Sequence, residues 1–137
     1  MNHKKRFLKP YFLLILFSLV IFGKGVADCL AAPLEATLEQ NGQRLELSIS
    51  IPSPPPTSLI ARIQLPSKIK IMATSPNAAK IDTKNSQIKW LIKNPSPGSL
   101  RLSVTTSPPV AASKVAAEIL YRKPGDGKMS KIDAQKR

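Results

Sequence analysis

The alternation of apolar and polar residues across residues 65–105 constrains the fold more than any other feature of this chain. Ile88, Trp90 and Ile92 lie on one side of a predicted strand, and the residues between them lie on the other. A period of two residues is typical of a strand with one buried face. Because Trp90 is the only tryptophan, we expect it at the centre of a β-sandwich core.

The same alternation recurs along most of the chain. It predicts seven short strands, at residues 34–39, 45–51, 59–73 (with a turn or kink at Pro66-Ser67), 87–93, 100–105, 115–122 and 129–132, and residues 80–82 offer an eighth. Asn41-Gly42 lies between the first two and predicts a hairpin, because both residues tolerate positive φ. The proline-rich stretch 52–58 cannot join a ladder, so we interpret it as a crossover between sheets rather than as a ligand for aromatic-lined grooves.

One segment, residues 115–122, carries two conflicting signals. Its alanines favour a helix by propensity. Its alternation of Val115, Ala117, Ile119 and Tyr121 with more polar residues favours a strand, as does the all-strand context.

Taken together, the strands predict a single all-β domain over residues 33–132. Seven or eight short strands, separated by Pro/Gly turns, are typical of an immunoglobulin-like antiparallel β-sandwich. No helix is predicted after the N-terminal segment. Residues 133–137 are expected to form a disordered tail.

Residues 1–32 have the layout of a secretory signal peptide followed by a short linker. Basic residues precede an apolar run at 11–22, and Lys24 ends it short of the roughly 20 apolar residues that a membrane-spanning helix needs. Small residues allow cleavage after Ala27 or Ala31. We therefore expect an extracytoplasmic protein, which is periplasmic, secreted or on the cell surface. The alternative is a domain anchored to the membrane by an uncleaved N-terminal helix.

Cys29 is the only cysteine, so no disulfide can form within the chain. The sequence Val26-Ala27-Asp28-Cys29 is similar to a bacterial lipobox, although Asp28 stands where a small residue is expected. Lipidation of Cys29 is thus a second possible route to membrane association. The domain itself has to be stabilised by its hydrophobic core.

The predicted domain is strongly basic. Residues 33–137 carry sixteen basic and seven acidic side chains, a net charge of +9. Such a charge predicts attraction to acidic lipid headgroups, cell-envelope polymers or nucleic acid. The candidate polyanion-binding residues are Arg62, Lys68, Lys70, Lys89, Lys93 and Arg101.

These six residues would form one positive face if their strands share a sheet. Alternatively, the lysines only prevent edge strands from pairing with other chains. Nucleic acid is the least favoured of the anionic partners, because Trp90 and Tyr121 are both assigned to the core and leave no aromatic side chain for base stacking.

Catalytic chemistry finds little support in the sequence. The single histidine, His3, lies in the signal segment, which excludes histidine-based triads and Cys/His zinc sites in the domain. No glycine-rich phosphate loop is present. Glu35, Glu39 and Glu46 could cluster for glycoside chemistry, but we favour their role as partners of nearby basic side chains. We predict no catalytic residue, no metal and no cofactor.

The central stretch resembles the immunoglobulin-like repeat modules of bacterial cell-surface proteins. The matching features are Leu65-Pro66, Ile69-Lys70-Ile71, Ser75-Pro76-Asn77, Ile88-Lys89-Trp90 and Pro97-Gly98. The resemblance covers residues 65–105 and consists of turn and core positions, so it implies a fold and an envelope location rather than an activity. The basic character and the single copy depart from the usual pattern of these modules.

The expected function is therefore that of a non-enzymatic, exported envelope module for binding or scaffolding. Binding would use a sheet face, the loop ends or an edge strand, with an envelope protein or an anionic envelope polymer as the partner. The alternative is an accessory subunit of a secretion, pilus or surface-layer apparatus. A small hydrolase is the least favoured hypothesis.

Overall fold

A computed structural model describes residues 32–125 and 127–137, which form ten β-strands and one single-turn 3₁₀ helix. The strands are β1 Glu35–Asn41, β2 Arg44–Ile51, β3 Ser58–Gln64, β4 Lys70–Ser75, β5 Lys80–Asp82, β6 Gln87–Lys93, β7 Gly98–Ser107, β8 Ala116–Arg122, β9 Met129–Asp133 and β10 Gln135–Lys136. The 3₁₀ helix spans Ala112–Lys114. The signal segment, both cleavage sites and Cys29 lie outside the described residues.

The strands form two five-stranded sheets. The first sheet has the order β10-β1-β2-β7-β4, and the second has the order β5-β6-β3-β8-β9. Every neighbouring pair is antiparallel except β1 and β10, which are parallel. The described part of the chain is thus an all-β sandwich, as the period-two pattern predicts.

One hydrophobic core joins the inner faces of the two sheets. Leu47 of the first sheet and Ile63 of the second are both fully buried, and the outward residues between core positions remain partly or fully exposed. Trp90 is 2% exposed, and its indole Nε1 donates a hydrogen bond to the carbonyl oxygen of Pro76 at 2.9 Å. The expected central position of Trp90 is therefore confirmed.

The first hairpin forms as predicted, with its turn shifted by one residue. Asn41 remains in the ladder opposite Arg44, so the loop consists of Gly42 and Gln43. Only Gly42 needs positive φ, at 62°, a conformation that costs a glycine little. The proline-rich stretch after β2 leads from the first sheet into β3 of the second, which confirms the predicted crossover.

The segment with conflicting signals is a strand. Ala112–Lys114 forms the short 3₁₀ helix, and Ala116–Arg122 forms β8 in the middle of the second sheet. Burial of Ala117 and Ile119 against the core outweighs the helical propensity of the alanines, which is only a weak preference.

The structure corrects the strand count and one inward position. It has ten strands instead of seven or eight, because residues 59–73 form two strands in different sheets and the C-terminal tail contributes β10. In β4, a bulge shifts the register between Ile71 and Ala73. Period-two alternation along residues 69–73 predicts that Ile69, Ile71 and Ala73 point inward, but the extra residue at Met72 leaves Ala73 exposed and turns Thr74 toward the core side instead.

The expected disordered tail is also corrected, because it completes the sandwich. β10 pairs with β1 through Thr37 opposite Gln135, and the Arg137 amide donates to the carbonyl oxygen of Leu38 at 3.0 Å. The amide of Ala134 donates to the carbonyl oxygen of Ala117 at 2.9 Å. Backbone groups along the edge of β1 pair with β10 and Arg137, and β8 accepts the hydrogen bond from Ala134. A two-residue strand is too short to show in an alternation pattern.

Replacing Trp90 with phenylalanine tests the role of its buried hydrogen bond. We expect Trp90→Phe to lower the free energy of unfolding by about 2 kcal/mol, because it leaves the Pro76 carbonyl without its donor and reduces the packed volume. Urea unfolding followed by far-ultraviolet circular dichroism measures the change without depending on tryptophan fluorescence. Tyr121→Phe is the control, since this half-buried hydroxyl makes no hydrogen bond within the described ranges. Equal losses in the two variants would contradict the prediction.

Candidate functional site

The six candidate cations do not lie on one face, because the chain changes sheets between them. Arg62 lies on β3, and Lys89 and Lys93 lie on β6, all in the second sheet. Lys70 lies on β4 and Arg101 on β7, both in the first sheet. Lys68 lies in the connection between the two sheets, at a φ of 70°. The condition for a single positive face is therefore not met.

On the first sheet, two arginines lie beside carboxylates, whereas Arg44 and Lys70 have no ion pair in the described residues. Arg101 Nη1 lies 3.6 Å from Glu46 Oε1, and Arg137 Nη1 lies 3.9 Å from Glu39 Oε1. Glu39 and Glu46 are directly opposite each other on β1 and β2. Each carboxylate of this pair thus faces an arginine. The rest of this outer face is mainly Ser and Thr, at positions Thr37, Ser48, Ser50, Ser99, Ser103 and Thr105.

The second sheet places a row of charged side chains across all five strands of its outer face. The pairing register puts them side by side in the order Lys80, Lys89, Arg62, Glu118 and Asp133. We refer to these five residues as the charged row. Its two ends differ, because the acidic residues are confined to β8 and β9.

The β8–β9 end of the charged row is a closed ionic network. Arg62 Nη1 donates to Glu118 Oε1 at 2.6 Å, and Lys131 Nζ lies 2.8 Å from Glu118 Oε2. Lys131 Nζ also lies 3.9 Å from Asp133 Oδ1. The hydrogen bond from Lys131, with the positive charges of Lys131 and Arg62, lowers the pKa of Glu118, and the same contact raises the pKa of Lys131. The two positive and two negative charges balance, and their ion pairs link β3, β8 and β9.

The β5–β6 end of the charged row has no such balance. Lys80 and Lys89 are directly opposite each other, and neither has an ion pair with the residues that the structure describes. Lys93 lies farther along β6, and Arg122 lies on the same face because both pair with Ser58. We call Lys80, Lys89, Lys93 and Arg122 the cationic surface. Like charges directly opposite on neighbouring strands are destabilising, so this arrangement costs stability.

The sequence prediction missed Lys80 and Arg122. Both occupy outward positions of alternating segments, so the signal was present in the pattern. What the pattern could not supply was the strand order that places β5 beside β6, and β8 in the same sheet as both.

An aliphatic stripe crosses the same face beside the charged row. Leu91, Ile60 and Leu120 are in register on β6, β3 and β8, and Lys131 follows them on β9. Leu91 is 48% exposed. We call Ile60, Leu91 and Leu120 the aliphatic stripe. An outer sheet face that meets water is ordinarily polar, so this stripe is unusual for its position.

An apolar groove of about 420 Å³ lies at one end of the sandwich. Three proline rings, Pro52, Pro54 and Pro56, line it with Tyr121 and Lys123. Tyr121, which was expected in the core, is only half-buried and packs between the core and this groove. Tyr121 and Lys123 are the titratable side chains among the residues that line the groove.

Two further observations concern residues 32–125 and 127–137. No three His, Cys, Asp or Glu side chains there are grouped so that they could hold a metal ion. In the same residues, no helix has the length and apolar character needed to cross a membrane.

Comparison with known proteins found no match to a protein-family model, to a curated protein or to a solved structure. The function proposed below is therefore based on the two outer faces of the sandwich and on the sequence itself.

Glu118→Gln tests the ionic network. We expect it to lower the free energy of unfolding by about 1–2 kcal/mol at neutral pH, because Arg62 and Lys131 lose a shared, partly buried counter-charge. Glu46→Gln is the matched control. It removes a carboxylate whose partner Arg101 is 74% exposed, so its loss should stay below about 0.5 kcal/mol. Chemical denaturation at constant ionic strength measures both.

The pH dependence follows from the lowered pKa of Glu118 in the folded protein. Its stabilising contribution is complete above the pKa of a glutamate in an unfolded chain, about 4.3, and is lost as pH falls through the lower folded value. The gap in stability between the parent and Glu118→Gln should therefore close in this acid range. Asp82, whose pKa is lowered by its hydrogen bonds with Asn85, is present in both proteins and does not affect the gap. A gap that persists unchanged below this range would contradict the prediction.

Proposed function

We propose that the protein is an exported, non-enzymatic module of the cell envelope that binds anionic material through the cationic surface. The observation that carries the proposal is the pairing of Lys80 opposite Lys89 with no ion pair to either lysine in the described residues. Asp82, two residues after Lys80 on β5, attracts that lysine but is hydrogen-bonded to Asn85 and forms no ion pair with it. Arg62, Lys131 and Arg101 all have ion pairs with carboxylates. A bound anion would offset the repulsion between the two lysines, so that their opposed placement would favour anion binding.

Protection of sheet edges explains some of the lysines but not all of them. Lys70 and Lys80 lie on β4 and β5, which are edge strands, and there a lysine hinders pairing with another chain. Lys89 is different, because it lies on β6 with β5 on one side and β3 on the other. Its position has no edge to protect, which favours binding.

The class of module is part of the same proposal. The two packed, mainly antiparallel sheets and the resemblance of residues 65–105 to bacterial surface repeats support an immunoglobulin-like sandwich. The signal-like layout of residues 1–32 supports an extracytoplasmic location. An envelope exposes anionic polymers and lipids to such a protein, and a net charge of +9 on residues 33–137 would attract them.

A second candidate is an accessory subunit that packs within a secretion, pilus or surface-layer apparatus. The apolar groove at the proline end of the sandwich favours it, because proline rings and Tyr121 could receive an apolar side chain from a neighbouring subunit. Pull-down from envelope fractions distinguishes the two candidates. Recovery of polymer or lipid supports the first, and recovery of one defined protein in fixed proportion supports the second.

Charge reversal on the cationic surface tests the proposed binding. We expect Lys89→Glu with Lys93→Glu to weaken binding to polyphosphate about tenfold at low salt, because two cations of the surface become anions. Lys68→Glu with Lys70→Glu is the control, since it changes the net charge equally but on the connection to β4 and on β4 itself. Titration with polyphosphate at two salt concentrations measures the affinity and shows how much of it is electrostatic. Equal weakening by the two double variants would show that net charge alone drives binding.

The N-terminus of the protein recovered from cell fractions tests the export prediction. Mass spectrometry should find a chain that begins at Asp28 or Ala32 in the extracytoplasmic fraction, as expected from cleavage after a small residue. A chain that retains residues 11–22, or that carries lipid on Cys29, would place the domain on a membrane tether instead.

A further inference from the structure

The two outer faces of the sandwich differ in a way that the core does not require. Both sheets bury their inner faces in one common cluster. Outward positions on the first sheet are mainly Ser and Thr, whereas the three central strands of the second sheet present the aliphatic stripe. Since packing of the core is indifferent to these outward side chains, the stripe points to contact with something outside the domain.

Cations flank the stripe on β6 and at the end of β8, whereas Glu118, two residues before Leu120, is already paired with Arg62 and Lys131. Lys89 and Lys93 lie two residues before and after Leu91 on the same strand, so all three side chains share one face. Arg122 lies two residues after Leu120 on β8, and Lys131 ends the stripe on β9. Lysine and arginine can lay their aliphatic stems along an apolar surface while their charged ends reach outward.

We infer that the aliphatic stripe and the cationic surface together dock onto a membrane leaflet rich in anionic phospholipid. Apolar side chains enter the boundary between headgroups and acyl chains, and the surrounding cations pair with headgroup phosphates. This inference rests on the proposed function and specifies its partner.

Charge complementarity favours a lipid surface over a second copy of this chain, and the exposed stripe favours it over a soluble anionic polymer. A second copy docked face to face would offer these lysines either another cationic surface or the β8–β9 end, where Glu118 is already paired with Arg62 and Lys131, so neither orientation supplies a free counter-charge from Glu118. A soluble anionic polymer would pair with the lysines but would leave Leu91 in water. An anionic leaflet satisfies both features at once, because it offers phosphate groups above an apolar layer.

Sedimentation with lipid vesicles tests the inference, with the chain in the form that mass spectrometry identifies in the cell. The vesicles contain either phosphatidylcholine alone or an equal mixture of phosphatidylcholine and phosphatidylglycerol. We expect binding to the mixed vesicles only. Leu91→Ser should weaken that binding about fivefold, because it removes the most exposed member of the stripe.

Met72→Ser is the matched control. Met72 is an apolar side chain of similar exposure, 56% against 48% for Leu91, but it lies on β4 of the first sheet. Its replacement should leave vesicle binding unchanged. Because both residues are exposed, both variants should fold, and circular dichroism with thermal unfolding checks this. The rise in surface pressure of a phosphatidylglycerol monolayer should also fall for Leu91→Ser and not for Met72→Ser.

The possible results separate this inference from the proposed function. If polyphosphate binding depends on Lys89 and Lys93 while vesicle binding is the same for Leu91→Ser and the parent, the lipid inference is overturned and the proposed function stands. If the chain binds neither polyphosphate nor mixed vesicles, both are overturned. If Leu91→Ser abolishes capture of one defined envelope protein but not vesicle binding, the stripe is a protein interface and the lipid inference is again overturned.

Discussion

Burial of the two inner sheet faces against each other is the constraint on which this structure depends. The chain has one cysteine, so no internal disulfide can stabilise the sandwich. The core has to supply that stability, and full burial of a Leu or Ile side chain contributes about 1.5–3 kcal/mol. Trp90 lies within this core with its indole nitrogen bonded to the Pro76 carbonyl, so the largest core residue leaves no polar group unsatisfied.

Because the core uses only the inward residue of each pair along a strand, the outward residues are free to serve other purposes. The first sheet uses them for a polar face in which Glu46 and Glu39 are matched with arginines. The second sheet clamps β3, β8 and β9 through Glu118 and leaves Lys80 and Lys89 unmatched within the described residues. A domain of this kind can therefore acquire a binding surface without altering its core, which is why we place the function on the second sheet.

The ends of the sheets show how an isolated sandwich avoids pairing with other chains. β10 covers part of the outer edge of β1, a bulge interrupts β4, and β5 is only three residues long. Each of these features limits the length of free backbone at an edge. The strand count exceeds the prediction because the turn at Pro66-Ser67 leads β3 and β4 into different sheets and because the two-residue β10 is too short for a periodic pattern. Lys89, which has no ion pair in the described residues, lies on an internal strand. Protection of a sheet edge therefore does not account for its position.

The sequence by itself determined the local elements. Period-two alternation located the major strands, Trp90 marked the core, and the prolines after β2 predicted the crossover, because each of these depends on neighbouring residues alone. Only the tertiary structure decided which strands lie side by side. It separated Arg101 from Lys89, brought Lys80 next to Lys89, and formed the aliphatic stripe from three segments distant in sequence. Strand order and register follow from how the whole core packs, and no local pattern contains that information.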